Sequence, residues 1–180
     1  MVKQVYIASA ARTPVGSFLG ALSSMSAPEL GAHSIRACMD RASIQDSRID
    51  EVIMGNVVSA GLKQAPARQA MRKAGLPDSC GATTINKVCG SGMKAIMLAT
   101  DLIKADSGTT IIAGGMESMS NAPYVLQKAR SGLRMGHQQM QDALFLDGLE
   151  DAETGGSMLA SSLATTVISG WRLSLLVGRV

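Results

Sequence analysis

Aromatic side chains are scarce in this chain: two Tyr, two Phe and one Trp make up 3% of 180 residues. A core without rings has to be packed closely from Ala, Val, Ile, Leu and Met, and Met is plentiful at 12. The shortage also leaves no basic stripe interleaved with stacking residues, and a formal charge of +3 is too small to attract nucleic acid, so no nucleic-acid partner is expected. Histidine occurs twice and cysteine three times, as Cys38, Cys80 and Cys89. None of them falls in a CxxC or Cys/His ligand spacing, which argues against zinc. An odd cysteine count without a disulfide framework points to a reducing compartment. No apolar run is long and unbroken enough for a membrane span; the stretch 159–180 is interrupted by Ser, Thr and Arg172. The first residues enter a strand-like pattern at once, with no charged segment followed by an apolar one, so no signal peptide is read and a cytoplasmic location is expected.

What is present fits a globular α/β domain: 46% apolar and 17% charged residues, with length for one domain and part of a second. Val5-Tyr6-Ile7-Ala8 reads as a buried strand that ends at Ala11-Arg12-Thr13-Pro14. Ser26-Ala27-Pro28-Glu29 has the form of a capping box, and Ile35, Cys38, Met39 and Ala42 recur at helical spacing behind it. Cys38 is thereby assigned to a core face. A second strand covers 51–58, a short helix 68–74 stops at Gly75-Leu76-Pro77, and a third strand runs through Thr83, Thr84, Ile85 and Val88. A helix over about 93–105 carries Met93, Ile96, Met97 and Ile103 on one side, and Thr109 to Gly115 forms a fourth strand buried on both faces. Strands alternating with helices at this spacing predict a largely parallel sheet with flanking helices. From Met116 the pattern gives way to a loop-rich excursion, the type of segment that covers a binding site. Its basic residues Lys128, Arg130 and Arg134 read either as a solvated face or as a phosphate or subunit contact.

Cys89 stands out because it follows the β-branched third strand and opens onto Gly90, Gly92 and a helix. A helix N-terminus carries partial positive charge and unpaired N–H groups that stabilise a sulfur anion. Glycines there leave room for a substrate carbonyl. A thiol attacks a thioester well, but it needs a base and oxyanion donors. His33 falls in the first helix and His137 in the excursion, and neither reads as that base. Cys80 sits in an ordinary loop.

Over residues 1 to about 158 the chain resembles the amino-terminal half of the thiolases, in particular those that transfer acetyl groups between coenzyme A thioesters. The resemblance rests on Ala11-Arg12-Thr13-Pro14-Val15-Gly16-Ser17-Phe18, Gly55-Asn56-Val57, Ala67-Arg68-Gln69 and, most strongly, Asn86-Lys87-Val88-Cys89-Gly90-Ser91-Gly92-Met93-Lys94-Ala95. Ala113-Gly114-Gly115-Met116-Glu117-Ser118-Met119-Ser120, Arg134-Met135-Gly136 and Asp147-Gly148-Leu149-Glu150-Asp151-Ala152 continue it in order.

The resemblance implies an acyltransferase in which Cys89 takes the acetyl group and its backbone N–H helps to hold the oxyanion. A second acetyl-CoA then condenses to acetoacetyl-CoA, or the reverse thiolysis runs. It implies an α/β domain over 1–118 and a partial coenzyme A-covering loop domain over 119–158. Leu149, Ser157 and Met158 fall at positions that touch the pantetheine arm, with Ser157 standing where many members carry His. The coenzyme A thioester is the substrate, and no further cofactor is implied. A homo-oligomer is expected, with the Lys128 and Arg130 loop at its assembly surface.

The family also uses a Gly-His-Pro histidine, an Asn-Glu motif and a second cysteine from a carboxy-terminal half, and none of these motifs occurs here. Residues 159–180 do not match the family and read as a foreign tail, as if from a truncation or frameshift near 158, so little turnover is expected of the chain alone. The alternatives are a non-catalytic half-thiolase that pairs with another subunit, and a relative acting on longer acyl chains, either a degradative 3-ketoacyl-CoA thiolase or a ketoacyl synthase.

Overall fold

The computed structural model describes residues 4–158 and, as backbone, the segment 173–178. Its centre is a five-stranded sheet made of β1 (Tyr6–Arg12), β2 (Glu51–Gly55), β3 (Gly81–Ile85), β4 (Thr110–Gly115) and β7 (Leu173–Gly178), in the order β1-β7-β4-β2-β3. β2 pairs in parallel with both β3 and β4, Ile53 lying opposite Thr83 on one side and Ala113 on the other. β7 runs antiparallel to β1 and to β4. The largely parallel sheet with flanking helices expected from the alternating pattern is therefore observed, with one strand reversed.

The excursion after β4 adds a two-stranded ribbon of β5 (Tyr124–Val125) and β6 (Gln141–Asp142), and then a π-helical turn at Phe145–Leu149. Most of the tail read as foreign, 159–172 and 179–180, lies outside the described residues. The backbone of 173–178, for which the sequence showed no place on a domain, is paired on both sides within the sheet.

Alternation along the strands divides the core in two. Val52 and Met54 of β2 and Ile112 of β4 face α1 (Ala27–Ala42) and α2 (Pro66–Lys73), packing with Ile35, Met39, Ala67, Ala70 and Met71. Ile53, Ile111 and Ala113 face the other way, onto Ala95, Ala99 and Ile103 of α3 (Ser91–Lys104). α1 starts where the capping box placed it: the Ser26 backbone N–H and hydroxyl both donate to Glu29 Oε2, at 2.8 and 2.7 Å. Cys38 is fully buried on its core face. α2 takes its cap from another element, since the Ala67 N–H donates to Thr84 Oγ1 of β3 at 2.9 Å. It stops at Gly75, whose φ of +88° suits glycine.

α3 departs from its expected orientation. The bulky stripe of Met93, Ile96, Met97 and Ile103 does not lie against the sheet as a unit: Ile103 is buried, while Met93 is 71% and Met97 51% exposed. The buried residues are Ser91, Ala95, Ala99 and Ile103, spaced by four, and three of them are small. Small residues on that stripe let the helix axis come close to the glycine-ended strands, and this close approach decides the orientation.

Candidate functional site

The carboxyl ends of β2, β3 and β4 meet the start of α3, and the turn that carries Cys89 lies between them. In open α/β sheets this edge is where ligands bind. Gly55 ends β2 directly beneath α3. A Cβ there would lie 2.5 Å from Ser91 Cβ, 2.7 Å from the Ser91 carbonyl carbon and 2.8 Å from Gly92 N, so only glycine fits.

The turn itself runs from Asn86 to Ser91 and is held by its own polar groups. Val88 sits at φ +47°, in the left-handed region, which costs a β-branched residue on the order of 1–3 kcal/mol. Three side-chain hydrogen bonds support it. Asn86 Oδ1 accepts from the Val88 N–H at 2.9 Å; Ser91 Oγ accepts from the Lys87 N–H at 2.8 Å and donates to the Val88 carbonyl at 2.6 Å. Backbone bonds from Gly90 to Lys87 and from Ser91 to Val88 close the same turn. Cys89 is thereby set one residue before the Gly90 N-cap of α3, and it is exposed.

The other two cysteines differ from it. Cys38 and Cys80 are buried, and burial, with the charges of Glu51 and Asp50 adding, pushes the Cys80 thiol up to about 11. Among the three thiols, Cys89 alone is accessible to a reagent.

A second layer of polar groups fixes the neighbouring loop. Glu117, 9% exposed just beyond β4, accepts from the Val57 N–H at 2.8 Å, the Val58 N–H at 3.3 Å and the Asn56 side-chain amide at 2.8 Å. Asn56 in turn bonds Met116 O through that amide and Ile85 O through its backbone. Its Oδ1 is buried and accepts no hydrogen bond. The Asn86 side-chain amide reaches Val57 O at 3.5 Å, which joins this loop to the cysteine turn. Residues 56–58, expected as the end of a strand, are therefore a loop shaped by a carboxylate sixty residues away.

Neither histidine belongs to this site. His33 is exposed on α1 and lines a groove of about 520 Å³ with Met25, Glu29, Arg36 and Lys73, on the α1 and α2 side of the sheet. His137 is exposed in the excursion. Among the described residues no group of three or more His, Cys, Asp and Glu is placed to hold a metal ion.

Leu149, Ser157 and Met158 lie together at the far end of the excursion. Leu149 closes the π-helical turn and is half-buried; Ser157 is bridged to Glu150, and Met158 follows it, 42% exposed. The hairpin between them is built on Asp151, whose carboxylate accepts from the Thr154 N–H at 2.7 Å, the Thr154 hydroxyl at 2.8 Å and the Glu153 N–H at 3.1 Å. These bonds, the Thr154 N–H first, hold the Asp151 carboxyl below its ordinary range. The excursion also leaves Tyr124, Met135 and Met140 exposed, with Lys128 and Arg130 among them.

The sequence marked Cys89 and left two supporting features unassigned, the Ser91 brace and the Glu117 loop clamp. For the first, the turn did carry one local signal, Asn86 two residues before Val88, a spacing that favours an Asx turn, but none that pointed to the Ser91 hydroxyl. The second joins segments too far apart in the chain for any local pattern to report.

Comparison with known proteins matches residues 5–171 to the N-terminal domain of thiolase. The acetyl-CoA acetyltransferase of Escherichia coli K12 is 52% identical over 158 residues, 87% of this chain and 40% of that protein. That of Cupriavidus necator is 53% identical over 147 residues, covering 82% and 37%, and acetyl-CoA acetyltransferase 2 of Arabidopsis thaliana is 50% identical over 149, covering 83% and 37%. The chain thus spans about two fifths of the length of these curated relatives.

Proposed function

The chain belongs to the thiolase family, and on that premise we propose that Cys89 is the acyl acceptor of an acetyl-CoA C-acetyltransferase reaction. Its sulfur attacks the thioester carbonyl of acetyl-CoA, the bond to the coenzyme A sulfur breaks, and coenzyme A leaves as the thiol with the proton that Cys89 gave up. In the complete reaction a second acetyl-CoA loses a methyl proton to a base, which returns a proton to the Cys89 sulfur once that is freed, and the resulting carbanion attacks the S-acetyl carbon. Acetoacetyl-CoA forms and the Cys89 sulfur is released; thiolysis is the reverse.

The observation that carries this reading is the exposed thiol at the carboxyl edge of the parallel sheet, held before α3 by a turn that spends hydrogen bonds on a left-handed valine. The excursion over 119–158 is assigned to covering coenzyme A, with Leu149, Ser157 and Met158 along the pantetheine arm. Exposed apolar residues beside Lys128 and Arg130 in the same excursion favour assembly into a homo-oligomer.

Neither His33 on α1 nor His137 in the excursion lies on the Cys89 turn or on the strands and helix that frame it, so acylation of Cys89 is the step this chain is expected to carry, and full turnover is expected to need a base from elsewhere. The exposed Met93 and Met97 of α3 favour a second reading, in which that face is covered by another chain carrying the remaining groups.

The test is to mix the purified chain with acetyl-CoA and map the adduct by mass spectrometry. An acetyl group on Cys89, absent from Cys89→Ser, is expected. Acetylation of Cys38 or Cys80 instead, or no adduct while iodoacetamide still labels Cys89, overturns the proposal. No helix of the described residues is long and apolar enough to cross a membrane.

A further inference from the structure

We propose that Ser91 is a positioning residue for the nucleophile, a role that rests on Cys89 being the acyl acceptor. Ser91 is 4% exposed and sits two residues beyond Cys89, at the first position of α3. Its hydroxyl is turned back on the chain: it takes the Lys87 N–H and gives its own proton to the Val88 carbonyl, so both bonds are spent on the residues that precede the thiol. The carbonyl it holds belongs to the residue with the unfavourable φ of +47°.

A valine released from that hydroxyl keeps only the Asn86 bond to its N–H and the Ser91 backbone bond to its carbonyl, and its β-branched side chain pulls toward extended backbone. Relaxation at Val88 would swing the next residue, and Cys89 would leave the start of α3 while the helix itself stayed in place. The helix is anchored independently, through Ala95, Ala99 and Ile103 against Ile53, Ile111 and Ala113. Ser91 therefore acts on reactivity through Val88 and touches no substrate. Gly90 and Gly92 on either side of it have no side chain with which to do the same.

The experiment measures two rates on the full chain at a temperature where it is folded: acetylation of Cys89 by acetyl-CoA and alkylation of Cys89 by iodoacetamide, both by peptide mapping. Ser91→Ala is expected to lower the acetylation rate at saturating acetyl-CoA by about tenfold to a hundredfold, as displacement of a reacting atom by about 1 Å does, and to leave the half-saturating concentration unchanged. Adding Val88→Gly to Ser91→Ala is expected to restore most of the rate, since glycine adopts positive φ without a brace.

A merely structural serine would not be rescued by relieving strain three residues earlier. Ser91→Ala with wild-type rates, or a slow Ser91→Ala that Val88→Gly does not recover, overturns the proposal. If Ser91→Ala does not fold, the double variant decides: folded with near-wild-type rates supports it, unfolded or slow refutes it. Should the wild type take no acetyl group, the acyl-acceptor reading fails, and the alkylation rates alone still show whether Ser91 places the thiol.

Discussion

Replacing Gly55 by alanine tests the contact on which the whole site depends. The added methyl would stand 2.5 Å from Ser91 Cβ, 2.7 Å from the Ser91 carbonyl carbon and 2.8 Å from Gly92 N. Ordinary contact between such atoms is about 3.5–4 Å, so α3 must retreat by roughly 1 Å at its first turn. Two of the three atoms are backbone, and the third is fixed by the bonds of Ser91 to Lys87 and Val88, so no side chain can swing aside. Overpacking of this type costs about 3 kcal/mol, at the upper end of its usual range. For a chain of this size that lowers Tm by about 6–12 °C.

Since the retreating turn carries Cys89, iodoacetamide labelling of Cys89 in the folded variant should slow as well. Gly75→Ala is the matched control: φ there is +88° and nothing lies within 4 Å, so the change costs about 1 kcal/mol through backbone conformation alone. It should leave Cys89 labelling untouched. Circular dichroism melts and mass-spectrometric labelling rates measure both effects. A Gly55→Ala chain that melts within about 2 °C of wild type and labels at the same rate would refute the argument.

Two further outcomes follow from buried or bridging carboxylates. Glu117→Gln replaces an acceptor of two backbone N–H groups and the Asn56 amide with a group that must present a donor to one of them; a loss of about 2 kcal/mol in urea unfolding is expected, and an unchanged midpoint would show that the loop at 56–58 holds itself. Asp50 accepts from the Thr109 and Thr110 N–H groups and the Thr109 hydroxyl at 2.6–3.0 Å. Burial works to raise its carboxyl, but those bonds, aided by Arg48, outweigh it and hold the carboxyl below its ordinary range. A depressed carboxylate contributes stability that is present above about pH 4 and disappears as pH falls through the folded value. Asp50→Asn should therefore cost about 1 kcal/mol at neutral pH, the group being largely solvated, and the gap to wild type should narrow on acidification; a gap that does not shrink as the pH is lowered below about 4 would contradict it.

Local chemistry was legible where it is local. The Ser26 and Glu29 pair announced the start of α1, and the helical spacing of Ile35, Cys38, Met39 and Ala42 placed Cys38 in the core. Gly90 and Gly92 after a β-branched run marked Cys89 at a strand-to-helix turn, where the structure leaves it exposed. Three features were hidden for physical reasons. Val88 reads as strand because β-branched residues favour extended backbone, and only the hydroxyl and amide around it pay for its left-handed φ. The side of α3 that meets the sheet was missed because closeness of approach favoured Ala95 and Ala99 over the larger apolar Met93 and Met97. The place of β7 depends on pairing with strands far away in the chain, and its composition carries no trace of its partners.

That pairing sets the order in which the molecule can be assembled. β1 joins the sheet only through β7, with Tyr6 opposite Gly178 and Arg12 opposite Leu173. The three-stranded unit β3-β2-β4 and its helices involve residues up to Gly115 and can form while the rest of the chain is still on the ribosome. β1 must then wait, its N–H and C=O groups without their sheet partners, until residues 173–178 have been synthesised. Closing a loop of that length makes docking of β1 a late, non-local event. During that interval β1 is an unpaired strand open to chaperones and to pairing with the wrong edge.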